Sequence, residues 1–266
     1  MATLREPADD IWGTTGEAYD EISRGSADAI EHCLDRLRPA PGETIVDVAT
    51  GTGWTARRLA SRGARVVGID ISPAIIEAAQ RLSSAEGHRI DFRIGNAEHL
   101  TREDERFDAV VSTFGVIYAE DPEAAAAGLA RVCRAGGRLG LTTWNSHGVP
   151  AQVFELLQGY RPDRATAAPS PFEWGRIERV EEMLGRDFDL DFESGTSYQN
   201  LPNGKAVWEL YLESYGPAKW LAERLDRPTL AELESRFVDF HDQFRTGLGV
   251  RVPREYLVVI GTRRRR

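Results

Sequence analysis

The segment best equipped for chemistry is Val46-Asp47-Val48-Ala49-Thr50-Gly51-Thr52-Gly53-Trp54-Thr55-Ala56. An apolar run ends in glycines, and a helical pattern follows. Glycines at such a turn let a ligand approach the backbone, and the helix start offers free N–H groups. Asp70 ends the next apolar run. A carboxylate there can accept both hydroxyl protons of a ribose. Asn96 follows the third run, and its amide can both donate to and accept from an adenine edge. Asp47 sits on the first run itself, four residues before Gly51. That carboxylate suits a ligand with an ammonium group and is a poor neighbour for a pyrophosphate.

These residues need a frame, and the patterning supplies one. Within the first 40 residues, which read as helix, Ile30, Cys33, Leu34 and Leu37 form one face until Pro39 and Pro41 end it. Strands are expected at 44–49, 65–70, 90–94, 107–113 and 138–144. Helical patterns lie between them. Ser72-Pro73 and Asp121-Pro122 each combine a capping side chain with proline at the first helical position. The second of these helices is expected to run to about Arg134, where Ala135-Gly136-Gly137 breaks it. This alternation implies an open parallel sheet with helices on both faces. After Trp144 the grammar changes. A helix at 150–160, a loop at 161–175, an alternating edge strand at 187–193 and two or three helices precede a last run, Tyr256 to Ile260.

Composition narrows the class. Of 266 residues, 41% are hydrophobic and 28% charged, which excludes global disorder. The net charge of −9 opposes wrapping a nucleic-acid backbone. The closing arginine run, Arg263 to Arg266, reads as a solvated tail. No apolar run is long enough to span a membrane, and Met1 to Pro7 lacks a signal-like stretch, so a cytoplasmic location is expected. Cys33 and Cys133 are far apart, and the five histidines are scattered, so no metal site is expected.

Asp47-x-Ala49-x-Gly51-x-Gly53 resembles motif I of the class I S-adenosylmethionine-dependent methyltransferases. Asp70, Asn96-Ala97, Phe107 to Ser112 and Arg131 to Leu139 follow in that family's order and spacing. The chain is similar to the small-molecule subgroup related to the ubiquinone and menaquinone methyltransferases. The resemblance is closest over residues 12–146. Ala49 departs from the usual first glycine, and Asn96 from the commoner aspartate.

The resemblance implies an α/β fold: a Rossmann-like, seven-stranded, mostly parallel sheet with an antiparallel last strand and a helical substrate cap. In domain terms it implies a lid at 1–40, a cofactor-binding core at 41–146, a cap at 147–250 and a final strand at 253–262. It also implies a methyltransferase acting on a small-molecule acceptor by in-line O-, N- or C-methylation. Ala49, Gly51 and Gly53 would pass the methionine part of S-adenosylmethionine. Asp47 would fix the loop or the ammonium group. Asp70 would bind the ribose, Ile71 would pack on the adenine, and Asn96 and Ala97 would meet its edge. Ser112 to Phe114 would lie beside the methyl donor, and Tyr19 would reach the cofactor carboxylate.

An oxygen or carbon acceptor needs a base near the carboxyl ends of strands four and five. His147 is the first candidate, ahead of Tyr118, Glu120, Glu173, Tyr211 and Tyr215. Trp144, Trp174, Trp208 and Trp220 are candidates to line an apolar or aromatic acceptor pocket. Two alternatives stand beside this reading. Gly51-x-Gly53-x-x-Ala56 also fits a dinucleotide fingerprint, and Tyr215-x-x-x-Lys219 matches a dehydrogenase spacing, although Pro217 between them disfavours one continuous helix. The other is a non-catalytic cofactor-binding protein.

Overall fold

Each apolar run pairs into a sheet because the segment after it can cover one face. The structure, a computed structural model, describes residues 8–100, 107–161 and 169–265. Residues 1–7 of the expected N-terminal helix, 162–168 of the expected loop and the final Arg266 lie outside the described residues, as do 101–106. The N-terminal part is several short pieces rather than one long helix. It comprises α1 (Ala8–Gly13), a 3-10 turn (Gly16–Tyr19), α2 (Asp20–Gly25) and α3 (Ala27–Leu37). Only α3 carries the stripe read from sequence, and Ile30, Cys33, Leu34 and Leu37 are buried on it.

The alternating part gives β1 (Thr44–Val48), α4 (Trp54–Ser61), β2 (Arg65–Asp70), α5 (Pro73–Ala85), β3 (Asp91–Ile94), β4 (Phe107–Thr113), α6 (Pro122–Val132) and β5 (Cys133–Trp144). Ser72 and Asp121 cap α5 and α6 through their side chains, as their types dictate. The helix before β5 ends at Val132. Strand β5 starts at Cys133, with a register irregularity against β4 where the glycine pair had suggested a break. The remaining elements are α7 (Val149–Gln158), α8 (Ile177–Leu184), β6 (Phe188–Leu201), α9 (Gly204–Ser214), α10 (Gly216–Ala222), α11 (Arg227–Asp242), β7 (Arg245–Thr246) and β8 (Gly249–Arg263). Part of the expected 161–175 loop, Pro171–Gly175, is a 3-10 helix.

The sheet order is β3-β2-β1-β4-β5-β8-β6, and the two-residue β7 hairpins onto β8. Strands β1 to β5 are mutually parallel, and β8 runs antiparallel between β5 and β6. The expected seven strands are therefore present, with β7 as a short addition. Side chains alternate across the sheet: Val46 packs with Val110, Leu129 and Leu139 on one face, and Ile45 packs with Leu34, Leu59 and Val111 on the other. A third core, including Val153, Trp208, Leu233, Phe237 and Val252, joins α7, α9, α11 and β8.

The last two strands are longer than their apolar runs suggested. Strand β5 pairs with β8 only from Tyr256 to Thr262, whereas β6 stays paired with β8 back to Val250. The β6–β8 ribbon therefore continues past the end of β5 at Trp144. Along this extension Val250, Val252 and Arg254 are buried while Arg251 is exposed. The arginine run is not simply a solvated tail: Arg263 is inside β8 and pairs with Asp187 at 2.7 Å, and Arg264 pairs with Asp189 at 3.1 Å.

Candidate active site

The carboxyl ends of the parallel strands converge where the strand order reverses, beside β1 and β4. Open sheets of this kind bind ligands there. The turn after β1 is held from several sides. The Thr50 N–H donates to the Ile69 carbonyl, and the Gly53 N–H donates to the Thr50 carbonyl. The Gly51 N–H donates to Asp70 Oδ2 at 2.9 Å, and the Ser72 N–H donates to Asp70 Oδ1 at 3.1 Å. Asp47, only 1% exposed, accepts the Thr50 hydroxyl at 2.6 Å. Burial pushes the Asp47 carboxyl up to about 7, opposed by that hydrogen bond and reinforced by the nearby Asp70. Burial also raises Asp70, while its backbone N–H donors pull the other way.

The N-terminal segment closes over this turn through a buried ion pair. Arg57 on α4 is 3% exposed and grips both oxygens of Asp20, at 2.9 and 3.0 Å. Asp20 also accepts the Thr52 hydroxyl at 2.7 Å. Its neighbour Tyr19 consequently lies against Gly51: a Cβ there would be 3.2 Å from the tyrosine ring. Gly51 has φ +57°, so glycine serves both the backbone and the approach.

A cavity of about 370 Å³ opens beside this segment. At its outer end lie Tyr19, Thr50, Gly51, Asp70, Ile71 and Asn96. Phe114 and Trp144, stacked 3.8 Å apart, form part of its wall. Val149, Val153, Phe154, Leu157 and Phe172 make it apolar, and Gln199, Tyr211, His241 and Arg254 add polar groups. His241 is 1% exposed, with Nδ1 2.7 Å from the Phe237 carbonyl. A carbonyl only accepts, so Nδ1 carries the hydrogen and Nε2 keeps its lone pair. Burial lowers the His241 pKa, which favours this neutral form.

Residues 45–137 match the family described as "Methyltransferase domain". An uncharacterized protein of Mycobacterium tuberculosis (strain ATCC 25618 / H37Rv) is 31% identical over 228 residues, 84% of this chain and 82% of that one. Demethylmenaquinone methyltransferase of Clavibacter sepedonicus is 33% identical over 134 residues, 50% of this chain and 53% of its own. The chain belongs to the class I S-adenosylmethionine-dependent methyltransferases. Its fold agrees with the crystal structure of a putative methyltransferase from Bacillus halodurans C-125, at a TM-score of 0.60 and 20% identity. That match covers 89% of this chain and 99% of the other.

As a methyltransferase of this class the chain uses S-adenosylmethionine, and the outer end of the cavity fits that molecule. Asp70 borders it with a carboxylate that has lone pairs beyond its N–H contacts. Ile71, 36% exposed, offers an apolar surface at the rim. The Asn96 Oδ1 accepts the Glu98 N–H at 2.8 Å, which fixes the amide beside the cavity. Tyr19, Ala49, Gly51, Asp70, Ile71, Asn96, Ala97 and Phe114 all line it.

Other expected site residues lie elsewhere. Asp47 is behind Thr50 and meets the turn rather than the cavity. Gly53 is off the lining, and a Cβ there would lie 2.7 Å from Phe92 Cζ, so packing of α4 against the sheet explains it. Ser112 is fully buried and joins the Val48 carbonyl to the Val116 N–H. His147, the first base candidate, is exposed and does not border the cavity. Glu173 is also off the lining, whereas Tyr118, Glu120, Tyr211 and Tyr215 are on it. Of the four tryptophans expected there only Trp144 lines the cavity, joined by Trp12 and Trp54. Trp174 and Trp208 fill cores, and Trp220 lies beneath Arg224, 4.3 Å from its ring centroid. The dehydrogenase-like pair is separated in role: Lys219 Nζ donates to the Thr14 carbonyl, while the Tyr215 hydroxyl is 3.3 Å from that of Tyr118. Among the described residues no cluster of metal ligands occurs.

His241, Gln199 and Arg254 were missed from sequence. The available signal was a polar residue on each of two apolar patterns. His241 follows Leu233 and Phe237 at helical spacing, and Arg254 continues the alternation Val250, Val252.

Proposed function

We propose that this methyltransferase modifies a small molecule held in the inner part of the cavity, with residues 147–250 acting as the cap that selects it and 1–40 as the lid. The observation that carries this reading is one continuous cavity running from the glycine turn to Tyr211, His241 and Arg254. Its volume is of the size that small-molecule sites have, about 300–1,000 Å³. The −9 charge argues further against a nucleic-acid acceptor. The buried free thiols Cys33 and Cys133 accord with a reaction in the cytoplasm.

S-adenosylmethionine, when bound, supplies a methyl group on a sulfonium, and transfer to an acceptor lone pair leaves the S–CH3 electrons on sulfur as a neutral thioether. The chain's own residues bind, orient and take up a proton. In this reading Asp70 accepts from the ribose, Asn96 and Ala97 meet the adenine edge beside Ile71, and Tyr19 covers the methionine part. Asp47 and Gly53 shape the turn. The aromatic and aliphatic wall excludes water and fixes the acceptor, which is where such transfers gain most of their rate. His241 Nε2 takes the proton that an oxygen or carbon acceptor gives up, in place of His147.

The test is transfer of a labelled methyl group from S-adenosylmethionine to a small-molecule panel, run beside thermal shifts with S-adenosylhomocysteine and NADPH. A shift with the homocysteine compound and a labelled small product are expected. A shift with NADPH alone would sink the reading.

A further inference from the structure

Arg254 is a buried charge that no described carboxylate contacts, with Asp28 acting on it only from a distance. It is 6% exposed, lies on the β6–β8 ribbon and contributes to the cavity lining. Its guanidinium donates to the Gly25 carbonyl and, at 3.4 Å, to the Ser26 hydroxyl. Both are neutral acceptors, and Nε has no partner. Its ring neighbour is Trp144, 5.7 Å away. Among the described residues no carboxylate lies within 4.0 Å of it, although other arginines of the ribbon and tail, such as Arg263, have one. A guanidinium stays charged at neutral pH, and burying a charge without a counter-charge costs several kcal/mol. An anionic group bound in the cavity would supply the missing counter-charge. Beside it on the lining stand Gln199, Tyr211 and His241, which can hydrogen-bond a polar head. The α7 wall of Val149, Val153 and Leu157 suits an apolar body.

We infer that the acceptor carries an oxyanion, either a carboxylate or an acidic phenol or enol, on an apolar body, and that Arg254 receives that oxyanion. The inference rests on the proposed reading of the inner cavity as the acceptor site. Arg254 is then the specificity-determining residue. The oxyanion desolvates against the guanidinium where it borders the cavity and makes a charge-assisted contact there.

The test uses calorimetry on the full chain saturated with S-adenosylhomocysteine. The probes are short aryl and alkyl carboxylates, acidic phenols, and for each a neutral isostere (primary amide or methyl ether). The wild type should prefer at least one acidic probe over its isostere by about ten-fold or more, since contacts to a charged group contribute roughly 1.5–3 kcal/mol. Acids ahead of phenols would identify a carboxylate, and the reverse order a phenol or enol. Arg254→Gln should abolish the preference and leave affinity for S-adenosylhomocysteine within about two-fold, while Arg254→Lys should retain part of the preference. A merely structural arginine would lower thermal stability in both variants and leave the preference untouched. Acidic and neutral probes binding alike, no acidic probe binding, or Arg254→Gln keeping the preference would each overturn the inference while leaving cofactor binding intact. Failure of the wild type to bind S-adenosylhomocysteine would overturn the reading beneath it.

Discussion

Ala49 and Gly115, both on the cavity lining, are fitted to each other: a Cβ built on Gly115 would lie 2.6 Å from the Ala49 Cβ and 2.5 Å from its carbonyl oxygen. Ala49 stands where related motifs carry glycine, and it keeps the left-handed backbone that glycine would allow, at φ 53°. The methyl group is tolerated because position 115 has none.

Gly115→Ala is therefore expected to destabilise the protein by about 1–3 kcal/mol through overpacking and to weaken cofactor binding with it. Ala49→Gly alone should change stability little, because relief of the left-handed strain offsets the added chain entropy. Combined with Gly115→Ala it should restore only part of the loss, since the carbonyl clash persists. Thermal denaturation of the four proteins checks this, and strict additivity of the two changes would contradict it.

Asp47 predicts a pH dependence with a definite sign. Its folded pKa, about 7, is above the unfolded carboxylate value of about 3.9. Between these values the folded chain holds a proton that the unfolded chain releases. The favourable contribution is full below the unfolded value and is lost as pH rises through about 7. Asp47→Asn keeps an oxygen for the Thr50 hydroxyl and removes the titration. The melting temperature of the variant minus that of the wild type should increase from about pH 5 to about pH 8. A difference independent of pH would count against the buried carboxyl.

The ion pair that seats the lid gives a third expectation. Asp20→Ala leaves the Arg57 guanidinium buried with only Glu86 and the Thr52 carbonyl. A loss of about 3–5 kcal/mol is the usual consequence of breaking a buried pair, and the exposed Glu86 moderates it. Release of Tyr19 from Gly51 should accompany the loss and show as weaker cofactor binding by calorimetry. Undiminished stability and affinity would show that the lid is held by other contacts.

His241 and His147 separate by turnover. His241→Gln should lower kcat by about 10²-fold or more with cofactor affinity retained, whereas His147→Ala should leave both unchanged. The acidic limb of the wild-type rate should fall below the ordinary histidine value of about 6.5, because burial lowers the His241 pKa and keeps the imidazole neutral to lower pH. Equal losses in the two variants would remove His241 from the reaction.

The half of the site on β1 to β4 was legible in the sequence because each group sits at a strand end marked by local chemistry. The Gly51 turn, Asp70 before a Ser72-Pro73 cap and Asn96 before a 3-10 turn are short-range signals. The polar inner groups were not legible, because β6, α9, α11 and β8 bring together residues dispersed from Gln199 to Arg254, and no local rule pairs them. Helix α8 was missed although Val180 and Leu184 form its buried stripe, since eight residues give a weak period. The continuation of β8 was cut short at Pro253, a residue that normally argues against a strand interior. At Gly53 the binding motif hid a second demand, its packing against Phe92.

Calorimetric titration of S-adenosylhomocysteine into the wild type and Asp70→Ala tests the central claim most directly. The account predicts one site per chain in the wild type and a loss of roughly 10- to 150-fold in the variant, from removing a carboxylate that supports both ribose and the Gly51 N–H. No binding to the wild type, or equal affinity in the two proteins, would contradict it.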